Sequence, residues 1–213
     1  MDFSKRRSVM VEEQMAGRGI CSEAVLTALR RVPREAFVPD RLRAFAYDDA
    51  PLPIDGDQTI SQPYIVALMI EALALTKADR VLEIGTGSGY AAAVLAEIAA
   101  DVYTVERIET LATKAARRLA DLGYANVHVL HADGTLGWHE HAPYEAIIVA
   151  AGAPEIPKTL KRQLNLGGRL VIPIGSDQRA QQLVRVTRTS EEDFETEELA
   201  DVRFVPLVGE EGW

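Results

Sequence analysis

Arg80-Val-Leu-Glu-Ile-Gly-Thr-Gly-Ser-Gly-Tyr90 joins two kinds of sequence with opposite demands. Val81, Leu82 and Ile84 form a short apolar run, the pattern of a strand buried on both faces of a parallel sheet. Gly85, Gly87 and Gly89 follow at once, and Ala91 to Ala100 reads as an alanine-rich helix. A strand, a glycine turn and a helix N-terminus make a cradle for a nucleotide-type cofactor. Glycine lets the backbone take positive φ and lets a ligand approach where a Cβ would collide. A tight turn without a ligand is the plainer reading, but three alternating glycines seldom serve only a turn.

The spacing narrows the cofactor. A dinucleotide fold wants G-x-G-x-x-G, whose third glycine allows close packing of helix on strand. Here the third glycine comes one place early, and Tyr90 stands where that fingerprint wants Gly or Ala. Glu83 sits two residues before the first glycine, inside the strand. A carboxylate there would repel a pyrophosphate but suit a ligand carrying a cationic amine and a sulfonium. E-x-G-x-G-x-G resembles the first motif of the S-adenosylmethionine-dependent methyltransferases, which points to methyl donation rather than hydride transfer.

Composition sets the outer bounds. A chain of 213 residues is long enough for a three-layer core, and one domain is expected. Apolar content of 47% with 26% charged residues fits a soluble globular protein. No apolar run approaches the roughly 18 residues of a membrane span, and the start lacks a signal-peptide core. The single cysteine, Cys21, has no activating neighbour in sequence and suits a reducing cytosol. A cytoplasmic location is therefore expected. The net charge of −9 argues against broad binding to a phosphate backbone. The four histidines all fall between 128 and 141 without forming a compact ligand set, so no metal is expected.

The expected domain organisation is one unit, 1–213, in three regions. Residues 1–75 form a helical and substrate-loop region, 76–175 the cofactor-binding core, and 176–213 the C-terminal strands. Helices are expected near Lys5 to Ala16 and from Ser22, an N-cap, to Pro33, with another short one from Arg41 to Tyr47. Pro51, Pro53 and the Asp55-Gly56 turn then exclude regular helix. Ser61 precedes a helix opened by Pro63 and running to about Leu75, so it reads either as an N-cap or as part of an anion site. Both readings can hold together.

Asp101 to Glu106 is a second buried strand ending in an acid, about twenty residues beyond the turn. That is where a Rossmann-like sheet places the carboxylate that holds the ribose hydroxyls. A helix from Glu109 to Leu122, a strand from Asn126 to Leu130 and the acid Asp133 before Gly134 continue the alternation. Tyr144 to Gly152 and Arg169 to Ile174 read as further strands around a helix from Lys158 to Leu164. Crossovers of this kind require a parallel sheet with helices on both faces. The tail reads as a hairpin, Gln182 to Thr189 and Asp201 to Leu207, joined by an acidic turn from Ser190 to Glu198.

Five segments together resemble the protein-L-isoaspartate (D-aspartate) O-methyltransferase family over nearly the whole chain. They are Val32-Pro-Arg-Glu-Ala-Phe-Val-Pro39, Gln58-Thr-Ile-Ser-Gln-Pro63, Leu82-Glu-Ile-Gly-Thr-Gly-Ser-Gly89, Ala142-Pro-Tyr-Glu-Ala-Ile-Ile148 and Val202-Arg-Phe-Val-Pro-Leu-Val208. The resemblance implies an α/β Rossmann-like methyltransferase fold: a doubly wound, mostly parallel sheet with N-terminal helices, a C-terminal β-hairpin and an altered strand order near the C-terminus. It implies methyl transfer from S-adenosylmethionine to the free α-carboxylate of L-isoaspartyl residues, and of D-aspartyl residues, which initiates repair of damaged proteins. By the same resemblance Ser61 is the active-site serine. Glu83, Gly85, Thr86, Gly87, Gly89, Glu106, Asp133 and Gly134 would line the cofactor site. Thr59, Ile60, Ser61, Val205 and Leu207 would meet the substrate. The implied partners are isoaspartyl-containing proteins and peptides, with no nucleic acid and no membrane, and a monomer is expected. Gln62 and Tyr64 stand where some relatives have Ala and His.

Two alternatives run against particular residues. Methyltransferases of nucleic-acid bases often carry Asp/Asn-Pro-Pro-Tyr/Phe after the fourth strand, where this chain has Ala151-Gly-Ala-Pro154. A non-catalytic cofactor-binding module would keep the glycines but need no Thr59-Ile60-Ser61 segment.

Overall fold

The computed structural model describes residues 2–177 and 180–213. Its helical N-terminus opens with α1 (Phe3–Val9), where Asp2 accepts a hydrogen bond from the Lys5 N–H as N-cap. The helix runs on through a wider π-helical turn, Met10–Met15, and stops at Gly19, whose φ is +98°. The expected second helix is α2 (Glu23–Arg31), capped by Ser22 as the sequence indicates. The segment expected to be helical after Pro39 is a 3-10 stretch, Asp40–Phe45.

The proline-rich segment is more ordered than its composition suggests. β1 (Leu52–Pro53) pairs antiparallel with β2 (Thr59–Ile60), closing a small hairpin over the Asp55-Gly56 turn. Helix α3 (Pro63–Ala72) follows, shorter than expected at its C-terminus.

The main sheet has seven strands in the order β5-β4-β3-β6-β7-β8-β9. β3 (Arg80–Ile84), β4 (Asp101–Glu106), β5 (Val127–His131), β6 (Tyr144–Val149) and β7 (Leu164–Asp177) are mutually parallel. β8 (Ala180–Arg188) and β9 (Phe194–Val202) run antiparallel and complete the sheet as a meander. Helices α4 (Tyr90–Ala96), α5 (Glu109–Asp121) and α6 (Lys158–Arg162) lie in the crossovers. On β3, Val81 packs with α2, α3 and α4 on one face, while Leu82 and Ile84 pack with the α6 side on the other. That two-sided burial explains why apolar residues do not alternate with polar ones along β3, at about 1.5–3 kcal/mol for each large side chain removed from water.

The tail corrects the sequence reading. The acidic stretch expected as a turn is largely β9, and the actual turn is confined to Thr189–Asp193. Glu195, Glu197 and Glu198 are exposed on this edge strand. Charge on an edge strand hinders pairing with another chain, so an acidic composition there is compatible with strand. The second predicted strand, Asp201 to Leu207, ends at Val202, and the chain from Arg203 leaves the sheet. Among the described residues, no helix is long and apolar enough to cross a membrane.

Candidate active site

Sequence neighbours β3 and β4 move to one side of the sheet, and β6 inserts on the other side of β3. Ligands in open α/β sheets bind outside the carboxyl ends of the strands at such a switch point. The glycine turn is pinned there from both sides. Gly85 N–H donates to the Val105 carbonyl (2.8 Å), and Ala150 N–H donates to the Ile84 carbonyl (2.8 Å).

Two of the turn's glycines have different tasks. Gly87 lines the hollow; its φ is +53°, and an added Cβ would be 3.6 Å from the Ile54 side chain. At Gly89, with φ +88°, a Cβ would press to 3.2 Å from Leu119 of α5. The third glycine therefore serves close packing, here of one helix start against another helix. Tyr90, the residue that breaks the dinucleotide fingerprint, is buried and forms an edge contact with Phe37 (5.6 Å between ring centroids).

Glu83 and Glu106 line the same hollow from the ends of β3 and β4. Glu106 accepts from Gly87 N–H (2.8 Å) and from Ile108 N–H (2.9 Å), so its carboxylate is held at the strand end. Glu83 is 1% exposed and forms no ion pair among the described residues. Burial pushes its carboxyl up to about 8; the Thr104 hydrogen bond pulls down and the Glu106 charge pushes up. A buried carboxylate without a cation suits a ligand that brings one, and Glu106 offers the paired acceptor oxygens a vicinal diol needs. This set of carboxylates fits S-adenosylmethionine, with its amine, sulfonium and ribose.

Thr59, Ile60 and Ser61 form one wall of the hollow. Val205 and Leu207 also line it, brought there by tertiary hydrogen bonds. Gly152 N–H donates to the Val205 carbonyl (2.8 Å), and Leu207 N–H donates to the Gly152 carbonyl (2.8 Å). The buried Gln181 amide tightens this arrangement, accepting from Phe204 N–H (2.7 Å) and donating to its carbonyl (3.3 Å). A second, open cleft shares Thr59, Ser61, Ala150 and Val205 with the first.

One expectation needs correction. Ser61 is not the N-cap of α3: that position is Gln62, with no side-chain cap bond and Pro63 supplying the preset first turn. Gly134 lines the hollow, and Asp133 stands directly before it. Its carboxylate accepts from Thr135 N–H (2.9 Å), the Thr135 hydroxyl (2.8 Å) and Glu210 N–H (2.8 Å). It thus caps a one-turn helix and ties down the C-terminal segment. Sequence reasoning missed Thr104, Gln181 and Arg34. Thr104 had a visible signal, a hydroxyl within an apolar strand; Gln181 and Arg34 are identified only by what folding packs around them.

A doubly wound sheet with E-x-G-x-G-x-G at its switch point, and carboxylates where phosphate-binding groups would otherwise stand, defines an S-adenosylmethionine-dependent methyltransferase. The family model for protein-L-isoaspartate(D-aspartate) O-methyltransferase matches residues 5–212. The chain belongs to that family. It is 64% identical to the protein-L-isoaspartate O-methyltransferase 2 of Pelobacter propionicus, over 98% of this chain and 92% of the relative. A solved protein-L-isoaspartate O-methyltransferase superposes with a TM-score of 0.86 at 31% identity, covering 98% of this chain and 67% of that one. A Plasmodium falciparum structure described as a beta-aspartate methyltransferase in complex with S-adenosyl-L-homocysteine gives 0.82 at 26% identity, covering 95% and 98%.

Proposed function

We propose that this protein methylates the free α-carboxylate of L-isoaspartyl residues, and of D-aspartyl residues, in damaged proteins and peptides, using S-adenosylmethionine. The observation that carries this reading is the convergence of two distant segments, Thr59 to Ser61 and Val205 to Leu207, as walls of one hollow with the glycine turn. A non-catalytic binding module would have no use for that second wall. All three regions of the chain contribute to this one hollow, which supports a single domain working as a monomer. We place it in the cytoplasm, in keeping with its one cysteine, an exposed free thiol.

When bound, S-adenosylmethionine supplies an electrophilic methyl group on a sulfonium. Glu83 and Glu106 would hold its amine and ribose, with the glycine turn beneath. The acceptor α-carboxylate has a reference pKa of about 3.5, so it is an anion at neutral pH and no general base is needed. The Ser61 hydroxyl donates a hydrogen bond to that carboxylate and orients it, and positioning provides most of the rate. The apolar Val205 and Leu207 keep water from the opposite side.

The test is methyl transfer to an isoaspartyl peptide beside its normal aspartyl twin. Labelling of the isoaspartyl peptide alone, with a base-labile product, is expected. Equal labelling of both peptides, or a base-stable product, would refute the reading.

A further inference from the structure

Arg34 opens a one-turn 3-10 helix, Arg34–Phe37, and is 0% exposed. Its Nε donates to the Ala46 carbonyl (2.8 Å) and its Nη2 to the Ser61 carbonyl (2.7 Å). Its guanidinium carbon stands 4.6 Å from the centroid of the Tyr90 ring. The remaining nitrogen, Nη1, is buried with no hydrogen bond of ordinary geometry; the Tyr90 side chain and the Asp49 charge act on the guanidinium, but no carboxylate forms a direct ion pair with it among the described residues. Burial lowers its pKa, yet a guanidinium stays charged at neutral pH.

A buried unpaired cation is costly, and an apolar side chain of similar volume often serves stability as well or better. Packing alone therefore does not account for arginine here. What distinguishes it is what its two arms reach. Ser61 lies between β2 and α3 and belongs to neither. Tyr90 is the first residue of α4, directly after the glycine turn, and lines the hollow. One planar group thus connects the acceptor wall to the element that carries the cofactor cradle. Lysine cannot copy this, having a point charge and no flat fork.

We propose that Arg34 is a positioning residue for methyl transfer, holding the Ser61 main chain against the start of α4 and so setting where the Ser61 hydroxyl meets the acceptor. This rests on the role proposed above for Ser61. A displacement of about 1 Å at such a point can cost on the order of a hundredfold in rate.

The test compares Arg34→Met, Arg34→Lys, Ser61→Ala and the double variant Arg34→Met/Ser61→Ala. Each is assayed for kcat and KM on an isoaspartyl peptide, for S-adenosylhomocysteine affinity by calorimetry, and for melting temperature. Both Arg34 variants are expected to lose at least tenfold in kcat/KM while cofactor-product affinity stays within threefold. The double variant is expected to be no worse than Ser61→Ala, since residues acting as a unit are not additive. If Arg34→Met does not fold, Arg34→Lys and its double with Ser61→Ala carry the same comparison. Wild-type kcat and KM in a folded variant, losses that multiply, or an equal loss of cofactor-product affinity would each overturn the proposal, as would failure of both Arg34 variants to fold. An inactive wild-type protein overturns the acceptor assignment and this role with it. An active wild type beside an unaffected Arg34 variant overturns only the role of Arg34.

Discussion

Thr104 donates its hydroxyl to the Glu83 carboxylate at 2.5 Å and lies 2.6 Å from the Thr86 hydroxyl. With the Thr104 proton given to Glu83, the Thr86 hydroxyl donates in turn to Thr104. The chain crosses from the glycine turn through β4 to β3, and it fixes the direction in which Glu83 faces the hollow. Hydrogen bonds to a carboxylate favour the ionised form, but here burial outweighs them.

The first prediction follows from that balance. Glu83 titrates at about 8 in the folded protein against an ordinary value of 4.5, so without ligand it is largely protonated at neutral pH. A cationic ligand amine selects the carboxylate. Cofactor binding at pH 7 should release protons, and affinity should rise with pH through about 8. For the unliganded fold the sign is opposite. The folded state holds the extra proton, so this group's contribution to stability falls as pH rises from 4.5 to about 8. The slope from one such group is at most about 1.4 kcal/mol per pH unit. Calorimetry in two buffers with different protonation heats checks the proton release, and equal apparent enthalpies in both would contradict it.

Glu106 calls for a gentler substitution than alanine. Its carboxylate also accepts from Gly87 and Ile108, so Glu106→Ala would loosen the turn as well as remove the diol's partner. Glu106→Gln retains one acceptor oxygen and leaves the chain's path intact. It should weaken S-adenosylhomocysteine binding by about 1.5–3 kcal/mol, the usual worth of hydrogen bonds to a charged group. Unchanged affinity in the folded variant would remove Glu106 from the ribose site.

Ser61→Ala separates orientation from stability. Since Ser61 makes no cap bond to α3, its removal should leave the melting temperature close to wild type. Turnover on an isoaspartyl peptide should fall at least tenfold, or about 1.4 kcal/mol of transition-state stabilisation. Complete loss is not expected, because a serine that orients an existing anion is not a nucleophile. Wild-type kcat would exclude Ser61 from the reaction.

The two glycines of the turn should fail in different ways. Gly89→Ala places a methyl 3.2 Å from Leu119 at a φ of +88°, so it should lower stability by about 1–3 kcal/mol. Gly87→Val adds a branched side chain at a residue that lines the hollow and should lose cofactor affinity out of proportion to its melting temperature. Titration with S-adenosylhomocysteine beside thermal melts distinguishes them, and identical profiles for the two variants would contradict the division of labour.

The central alternation of strands and helices was legible because β3, β4 and β6 are buried on both faces, so their apolar runs stand out against polar turns. Glu83 and Glu106 were legible for a related reason: an acid in or at the end of an apolar strand has a cost that a ligand can offset. Boundaries were less legible. The edge strand β9 is acidic because it faces water, and composition alone could not tell it from a turn.

By itself, the sequence determined the strand-turn-helix cradle, its cofactor class and, through resemblance, the acceptor segment at Thr59 to Ser61. Only the tertiary structure decided that Gln62 rather than Ser61 occupies the cap position, that Asp133 serves the C-terminal segment, and that Arg34 reaches Ser61. The last two outcomes depend on hydrogen bonds between residues 77 and 27 positions apart in the chain. Local propensity describes what a segment can form with its neighbours in sequence. Which distant donor reaches a given carbonyl or carboxylate is decided by packing, when burial requires each polar group to find a partner within about 3 Å.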